Sequence, residues 1–156
     1  MFEKIIFATT GTPTCDHAAH VAFDLKKKYN SDLILFHSMG MPSRGFSQFI
    51  KDSRTGEDEY LDNDYAEWIK EELRTYYAKQ LAGVEEVGIA TSAGEPHREI
   101  LRAARSKDAD LIIMGAHSRE EEAGATRYRS IVGSTMQRVA KGAKCPVLIV
   151  SRPCTT

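Results

Sequence analysis

Cysteine is scarce and poorly placed for pairing. The chain holds three, Cys15, Cys145 and Cys154, an odd number with no CxxC spacing, which excludes a disulfide framework and a zinc site of the usual ligand pattern. Reduced thiols are the simplest reading. Long apolar runs are missing as well: no stretch approaches the ~20 residues of a membrane helix, and residues 1–8 lack the basic and apolar regions of a signal peptide. The expected compartment is therefore the cytoplasm, with no membrane partner. Neither sign of charge is in excess. With 21 Lys and Arg against 22 Asp and Glu, the net charge is −1 and the pI is near 6.5, which argues against a nucleic-acid partner. A lysine-bearing phosphate loop and a metal-binding carboxylate set are also lacking, which weighs against a nucleotide hydrolase or adenylyl transferase. What is present is an ordinary soluble composition, 42% hydrophobic and 28% charged over 156 residues. That length suits one domain, 1–156, with a core that needs neither metal nor disulfide.

Taken in order, Ile5-Ile6-Phe7-Ala8 reads as a strand, and Thr9 to Pro13 as a turn into a helix that starts near the proline. Ala18, Val21, Ala22, Leu25 and Tyr29 recur at helical spacing and form a buried stripe. Lys26, Lys27 and Lys28 fall in the last turns and read as a solvated helix end, where cations suit the negative dipole terminus. Asn30-Ser31 breaks the helix before a second strand, Leu33-Ile34-Leu35-Phe36, which completes a right-handed βαβ unit. The 39–60 stretch, with Pro42, Gly45 and Gly56, is an irregular excursion, either a flap or a segment that covers the sheet. From Leu61, the residues Tyr65, Trp68, Ile69, Leu73, Tyr76, Tyr77 and Leu81 keep a helical period, and the aromatic face is expected to pack on the sheet. Val84 to Thr91 reads as a third strand, at an edge because of Gly88 and the glutamates beside it. Gly94-Glu95-Pro96 opens another helix that buries Ile100, Leu101 and Ala104. Arg98, Arg102 and Arg105 share its solvated face.

Residues 110–150 carry the strongest pattern. The run Leu111-Ile112-Ile113-Met114 ends on Gly115 and reads as a strand buried on both faces, as in a parallel sheet. A polar loop follows, then Gly133-Ser134 opens a helix, and Pro146-Val147-Leu148-Ile149-Val150 closes the unit as a strand. A Gly-Ser pair at a helix N-terminus suits a phosphate, because unpaired N–H groups and the positive dipole end converge there. The pair also suits a plain helix start, with Ser134 as the cap. Alternating strands and helices predict an α/β fold, an open, mostly parallel five-stranded sheet, with ligands beyond the carboxyl ends of strands at the switch point in strand order. Those ends are Thr9-Thr10, His37-Ser38 and Gly115.

These residues, with DLIIMGAHSR and GSTMQRVAKGAKCPVLIV as the specific part, resemble the universal stress protein family over essentially the whole chain. The resemblance implies a flavodoxin-like, doubly wound sheet of strand order 3-2-1-4-5. It also implies a homodimer and, in one branch, adenine nucleotide binding by a regulatory protein that acts in the stress response through a protein partner. ATP or AMP would be the ligand, with Mg accompanying ATP. Position by position, the resemblance implies Thr9, Thr10 and His37 around the base and ribose, over a floor of Met114 and Gly115. It puts His117 and Ser118 beside the ribose and phosphates, and Gly133, Ser134 and Thr135 on the phosphates. Two positions depart from the ATP-binding pattern. Thr10 replaces an aspartate, and Ser118 stands where GxxG would end. The loop through 119–132 is also longer than usual and carries Glu120, Glu121 and Glu122, which repel phosphate, with Arg127 and Arg129 to offset them.

Two readings therefore stay open, a nucleotide-binding regulator and a nucleotide-free dimeric interaction module of the same fold. Neither is an enzyme, weak nucleotide hydrolysis aside. Cys15, Asp16, His17 and His20 read as a solvated helix start rather than a metal site, and His117 as a pocket-lining loop residue rather than a general base. In the 3-2-1-4-5 order the last strand lies at an edge, so Val147, Leu148, Ile149 and Val150 are expected to pair with their copies in an isologous dimer.

Overall fold

The structure, a computed structural model, describes residues 1–39, 63–116 and 134–151. The irregular excursion expected at 39–60 therefore lies outside the described residues, apart from Met39. Five parallel strands, β1 (Lys4–Ala8), β2 (Asp32–Met39), β3 (Val87–Ala93), β4 (Leu111–Gly115) and β5 (Val147–Val150), form one sheet in the order β3-β2-β1-β4-β5. This is the open, doubly wound arrangement expected. The register sets Ile5 beside Leu33 on one side and Leu111 on the other, so β1 is enclosed by strands as well as by helices. That enclosure is why its Ile-Ile-Phe run is wholly apolar.

Helices cover both faces. On one, α1 (Asp16–Tyr29) brings Ala18, Ala19, Ala22 and Phe23, and α2 (Asn63–Tyr76) brings Leu73, onto Ile5, Phe7, Leu33, Leu35, Leu111 and Ile113. Tyr77, between α2 and α3 (Ala78–Leu81), joins this core. On the other face, Ile100, Ala103 and Ala104 of α4 (Pro96–Ser106) and Met136 and Val139 of α5 (Ser134–Gly142) meet Ile6, Ala8, Phe36, Ile112 and Met114. Alternate residues of each strand thus feed different cores, as the period-2 pleat requires.

Four expectations are corrected. The third strand begins at Val87 rather than Val84, because Gly83 and Glu86 take left-handed φ values of 72° and 60°, which an extended strand cannot contain. It continues to Ala93, paired with Met39. The long helix is divided at Tyr77, whose φ of −96° and ψ of 18° leave the helical region. Its aromatic face is only partly buried: Tyr77 is fully enclosed, whereas Trp68 is 53% exposed and Tyr76 is exposed with its hydroxyl donating to Asp16 Oδ1 at 2.8 Å. Finally, Lys26 is buried rather than solvated, and its Nζ donates to the Ser31 carbonyl at 2.7 Å across the C-terminus of α1. The chain reverses there through Asn30 in the left-handed region, so that the N–H groups of Asn30 and Ser31 return to the Lys26 carbonyl, and the Ser31 carbonyl just beyond the helix is met by the lysine side chain.

Lys26→Met keeps most of the apolar stem and removes the donor from the buried Ser31 carbonyl. A loss of about 1–3 kcal/mol is expected, read as a lower urea midpoint with unchanged m-value. An unchanged midpoint would show that the carbonyl finds another partner.

Candidate functional site

The strand order reverses direction beside β1. The connection leaving β1 runs to β2, whereas β4 lies on β1's other side, which makes the carboxyl ends of β1 and β4 the switch point of the sheet. A crevice must open there. It is a cavity of about 260 Å³. Ala8, Phe36, Met114, Ile100 and Met136 give it apolar walls, and Thr9, Thr10, Cys15, His37, Ser38, Ser134 and Thr135 bring hydroxyls, a thiol and an imidazole. Gly115 and Pro96 complete the described lining.

Thr9, the first residue after β1, is fastened at every polar group. Its N–H donates to the Phe36 carbonyl at 2.9 Å, continuing the β1–β2 ladder past the end of β1. Its carbonyl accepts from His37 Nδ1, also at 2.9 Å. A carbonyl can only accept, so Nδ1 carries the proton and a neutral His37 ring presents Nε2 as an acceptor. The Thr9 hydroxyl accepts from the Gly11 N–H at 2.9 Å and bonds the Tyr77 hydroxyl. Gly11 is at φ 68°, and a Cβ there would approach Leu73 Cδ2 to 3.0 Å. The turn is therefore tight against α2 and favours glycine. Thr10 Oγ1 lies 2.7 Å from Thr12 Oγ1 and 3.3 Å from Cys15 Sγ, forming a neutral polar cluster on the cavity wall.

Two helices aim their N-termini toward the same end of the sheet. Ser134 and Thr135 belong to the first turn of α5, where N–H groups lack intrahelical partners and favour an anion. Pro96 opens α4, and Glu95 before it accepts from Arg98 at 3.0 Å and from Arg138 of α5 at 3.4 Å, which ties the two helix starts together. Behind them the buried Glu99 accepts from Ser92 at 2.9 Å and pairs with Arg102 at 3.1 Å, so this carboxylate is satisfied in the wall and does not line the cavity. The arginines read as a merely solvated face thus include two, Arg98 and Arg102, in ion pairs. Gly94, at φ 152°, passes so near Glu99 that a Cβ would come within 2.8 Å.

Of the residues expected at the site, Thr9, Thr10, His37, Met114, Gly115, Ser134 and Thr135 come together around this one cavity. His117, Ser118 and Gly133 lie outside the described residues, as do the acidic loop and Cys154. Ser38, expected only as part of a strand end, lines the cavity too, and sequence reasoning missed Ala8, Cys15, Phe36, Pro96, Ile100 and Met136. Ile100 and Met136 look like any core residue. Among the described residues no three His, Cys, Asp or Glu side chains gather to hold a metal, and no helix is long and apolar enough to cross a membrane. Cys145 is half-buried away from this cavity, and burial, helped by the Asp110 charge, pushes its thiol pKa up.

A five-stranded parallel sheet of this order, with helices on both faces and a crevice at its switch point, defines a flavodoxin-like class of architecture. The model of the universal stress protein family matches residues 1–151, and the chain belongs to that family. Universal stress protein MJ0531 of Methanocaldococcus jannaschii is 29% identical over 98% of this chain and 84% of its own length. Universal stress protein MJ0577 of the same organism is 27% identical over 97% of this chain and 96% of its own. The solved structure of MJ0577 superposes with a TM-score of 0.75, at 24% identity over 99% of both chains. A universal stress protein crystallised in complex with cAMP superposes at 0.62, with 21% identity over 96% of this chain and 97% of that one.

Burial drives the Tyr77 hydroxyl pKa well above its ordinary value, against a smaller opposing effect of the bond to Thr9. The unfolded chain then releases this proton more readily than the folded one. The stabilisation is complete below the unfolded value of about 10 and falls as pH rises above it. Denaturation midpoints from pH 8 to 11 should decline in the alkaline range, and Tyr77→Phe should flatten the decline. The same slope in both proteins would mean that other groups cause it.

Proposed function

We propose that this protein binds an adenine nucleotide, AMP or ATP, in the cavity at the β1–β4 switch point and acts in the stress response through a protein partner. One observation carries the proposal. One cavity is lined both by the apolar side chains of Phe36, Ile100, Met114 and Met136, which suit a base, and by Ser134 and Thr135 at the start of α5, which suit a phosphate. The cAMP complex of a family member with the same fold supports the reading. His37 lines the cavity with its Nδ1 held by the Thr9 carbonyl, which fixes the ring beside the place proposed for the base, and Thr10 takes the place of a sugar-binding carboxylate with a neutral hydroxyl.

The described lining holds hydroxyls and an imidazole but neither carboxylate nor lysine. That composition supports binding over phosphoryl transfer, and it gives a magnesium ion no carboxylate, so nothing in it favours metal-bearing ATP over AMP.

Ligand release from the purified protein, followed by mass spectrometry and calorimetric titration with ATP, AMP and cAMP, tests the reading. A bound or titratable adenine nucleotide is expected, with His37→Ala weakening it about tenfold, ~1.4 kcal/mol. A folded protein that binds none of the three would overturn it and leave the nucleotide-free dimeric module.

Dimerisation is part of the same proposal, and the exposed edge supports it. Among the described residues β5 is the last strand of the sheet, and Leu148 on it is 38% exposed, which leaves this edge and this side chain to a second copy. Antiparallel pairing of Val147–Val150 with its own copy would make the contact isologous. Sedimentation should find a dimer at micromolar concentration, weakened by Leu148→Pro. A wild-type protein that remains monomeric well above that range would exclude this interface.

A further inference from the structure

We infer that Tyr77 is a positioning residue for the nucleotide cavity, acting from the opposite face of the sheet through the Thr9–Gly11 turn. The inference rests on the nucleotide-binding reading for its functional consequence but on separate geometry for its cause. Tyr77 is fully buried among Phe7, Phe23 and Tyr76, with ring centroids 5.9, 6.5 and 5.0 Å away, and it does not line the cavity. A phenol in such a place could be replaced by phenylalanine at no loss of packing. Its hydroxyl is nevertheless directed to one group, Thr9 Oγ1, which also accepts the Gly11 N–H.

The consequence follows from what Thr9 does. Its backbone is already held by Phe36 and His37, so the one freedom left at the end of β1 is the course of the chain through Thr10 and Gly11. That course is set by the rotamer of the Thr9 hydroxyl, because the Gly11 N–H binds it, and the rotamer is in turn fixed by Tyr77. Leu73, one turn earlier on α2, packs against Gly11 and closes the space into which the turn would relax. Thr10, between the two fixed points, is thereby kept on the cavity wall beside Cys15. The segment joining α2 and α3 thus sets the shape of a cavity it does not touch.

The test compares wild type, Tyr77→Phe and Thr9→Val, with Tyr76→Phe as a control that removes a neighbouring hydroxyl bonded to Asp16. Two readouts are taken on each full-length protein: AMP affinity by calorimetry, and amide hydrogen exchange of Gly11 by NMR, with Ile6 and Ile113 amides reporting an intact sheet. Tyr77→Phe is expected to weaken AMP about fivefold and to speed Gly11 exchange by a similar factor. Thr9→Val should do the same, the double variant no more than either alone, and Tyr76→Phe neither. If wild type binds AMP and Tyr77→Phe leaves either affinity or Gly11 exchange unchanged, the inference is overturned. If wild type binds no nucleotide, the functional reading fails separately, and Gly11 exchange alone decides the role of Tyr77: faster exchange upholds it and unchanged exchange ends it.

Discussion

β1 stands at the switch point of the sheet, with β2 on one side and β4 on the other, and the arrangement of the other elements follows from that placement. Right-handed connections send the chain from β1 to β2 over one face, while β4 joins the far side of β1 with α4 and α5 on the other. Residues at these strand ends and at the starts of α4 and α5 meet around one cavity here. The two apolar cores exist to hold this geometry: Ile5, Phe7 and Ile113 fix β1 against β4 from one face, and Ile6, Ile112 and Met114 fix it from the other.

Within that frame the polar character of the site is local. Every polar group of Thr9 is engaged in holding the end of β1, so its contribution to a ligand is its position rather than a vacant hydrogen bond. Charged side chains near the crevice are paired into its walls instead of facing it: Glu99 with Ser92 and Arg102, Glu95 with Arg98 and Arg138. The described lining consequently holds hydroxyls, a thiol and an imidazole beside apolar side chains, and for the proposed ligand the attraction of its phosphate would fall to the helix dipoles.

Most of the fold was legible because burial on both faces leaves an unmistakable signature. The runs 5–8, 33–36 and 111–114 are apolar throughout and lie within inner strands, while 147–150 is as apolar but lies at the edge of the sheet with Leu148 exposed. The third strand was displaced because an edge strand with Gly88, Thr91 and Ser92 has no such signature, and because Glu86 takes a left-handed conformation that its residue type does not announce. Lys26 misled for a related reason: three consecutive lysines look alike in sequence, and only the Ser31 carbonyl singles one out. At the site, residues at strand ends were legible as such. Ile100 and Met136 were not, since an apolar side chain facing a cavity and one facing a core have the same pattern. Tyr77 falls between, its period correctly marking burial but giving no hint that its hydroxyl reaches the end of β1.

The central claim is that this crevice, and no other surface, receives the ligand. Two-dimensional NMR of the amides during titration with AMP tests it most directly. The account predicts saturable shifts confined to Thr9, Thr10, Gly11, His37, Ser38, Gly115, Ser134 and Thr135, with the far ends of the strands, at Lys4, Asp32 and Leu111, undisturbed. Shifts that are absent, or that cluster at those far ends instead, would contradict it.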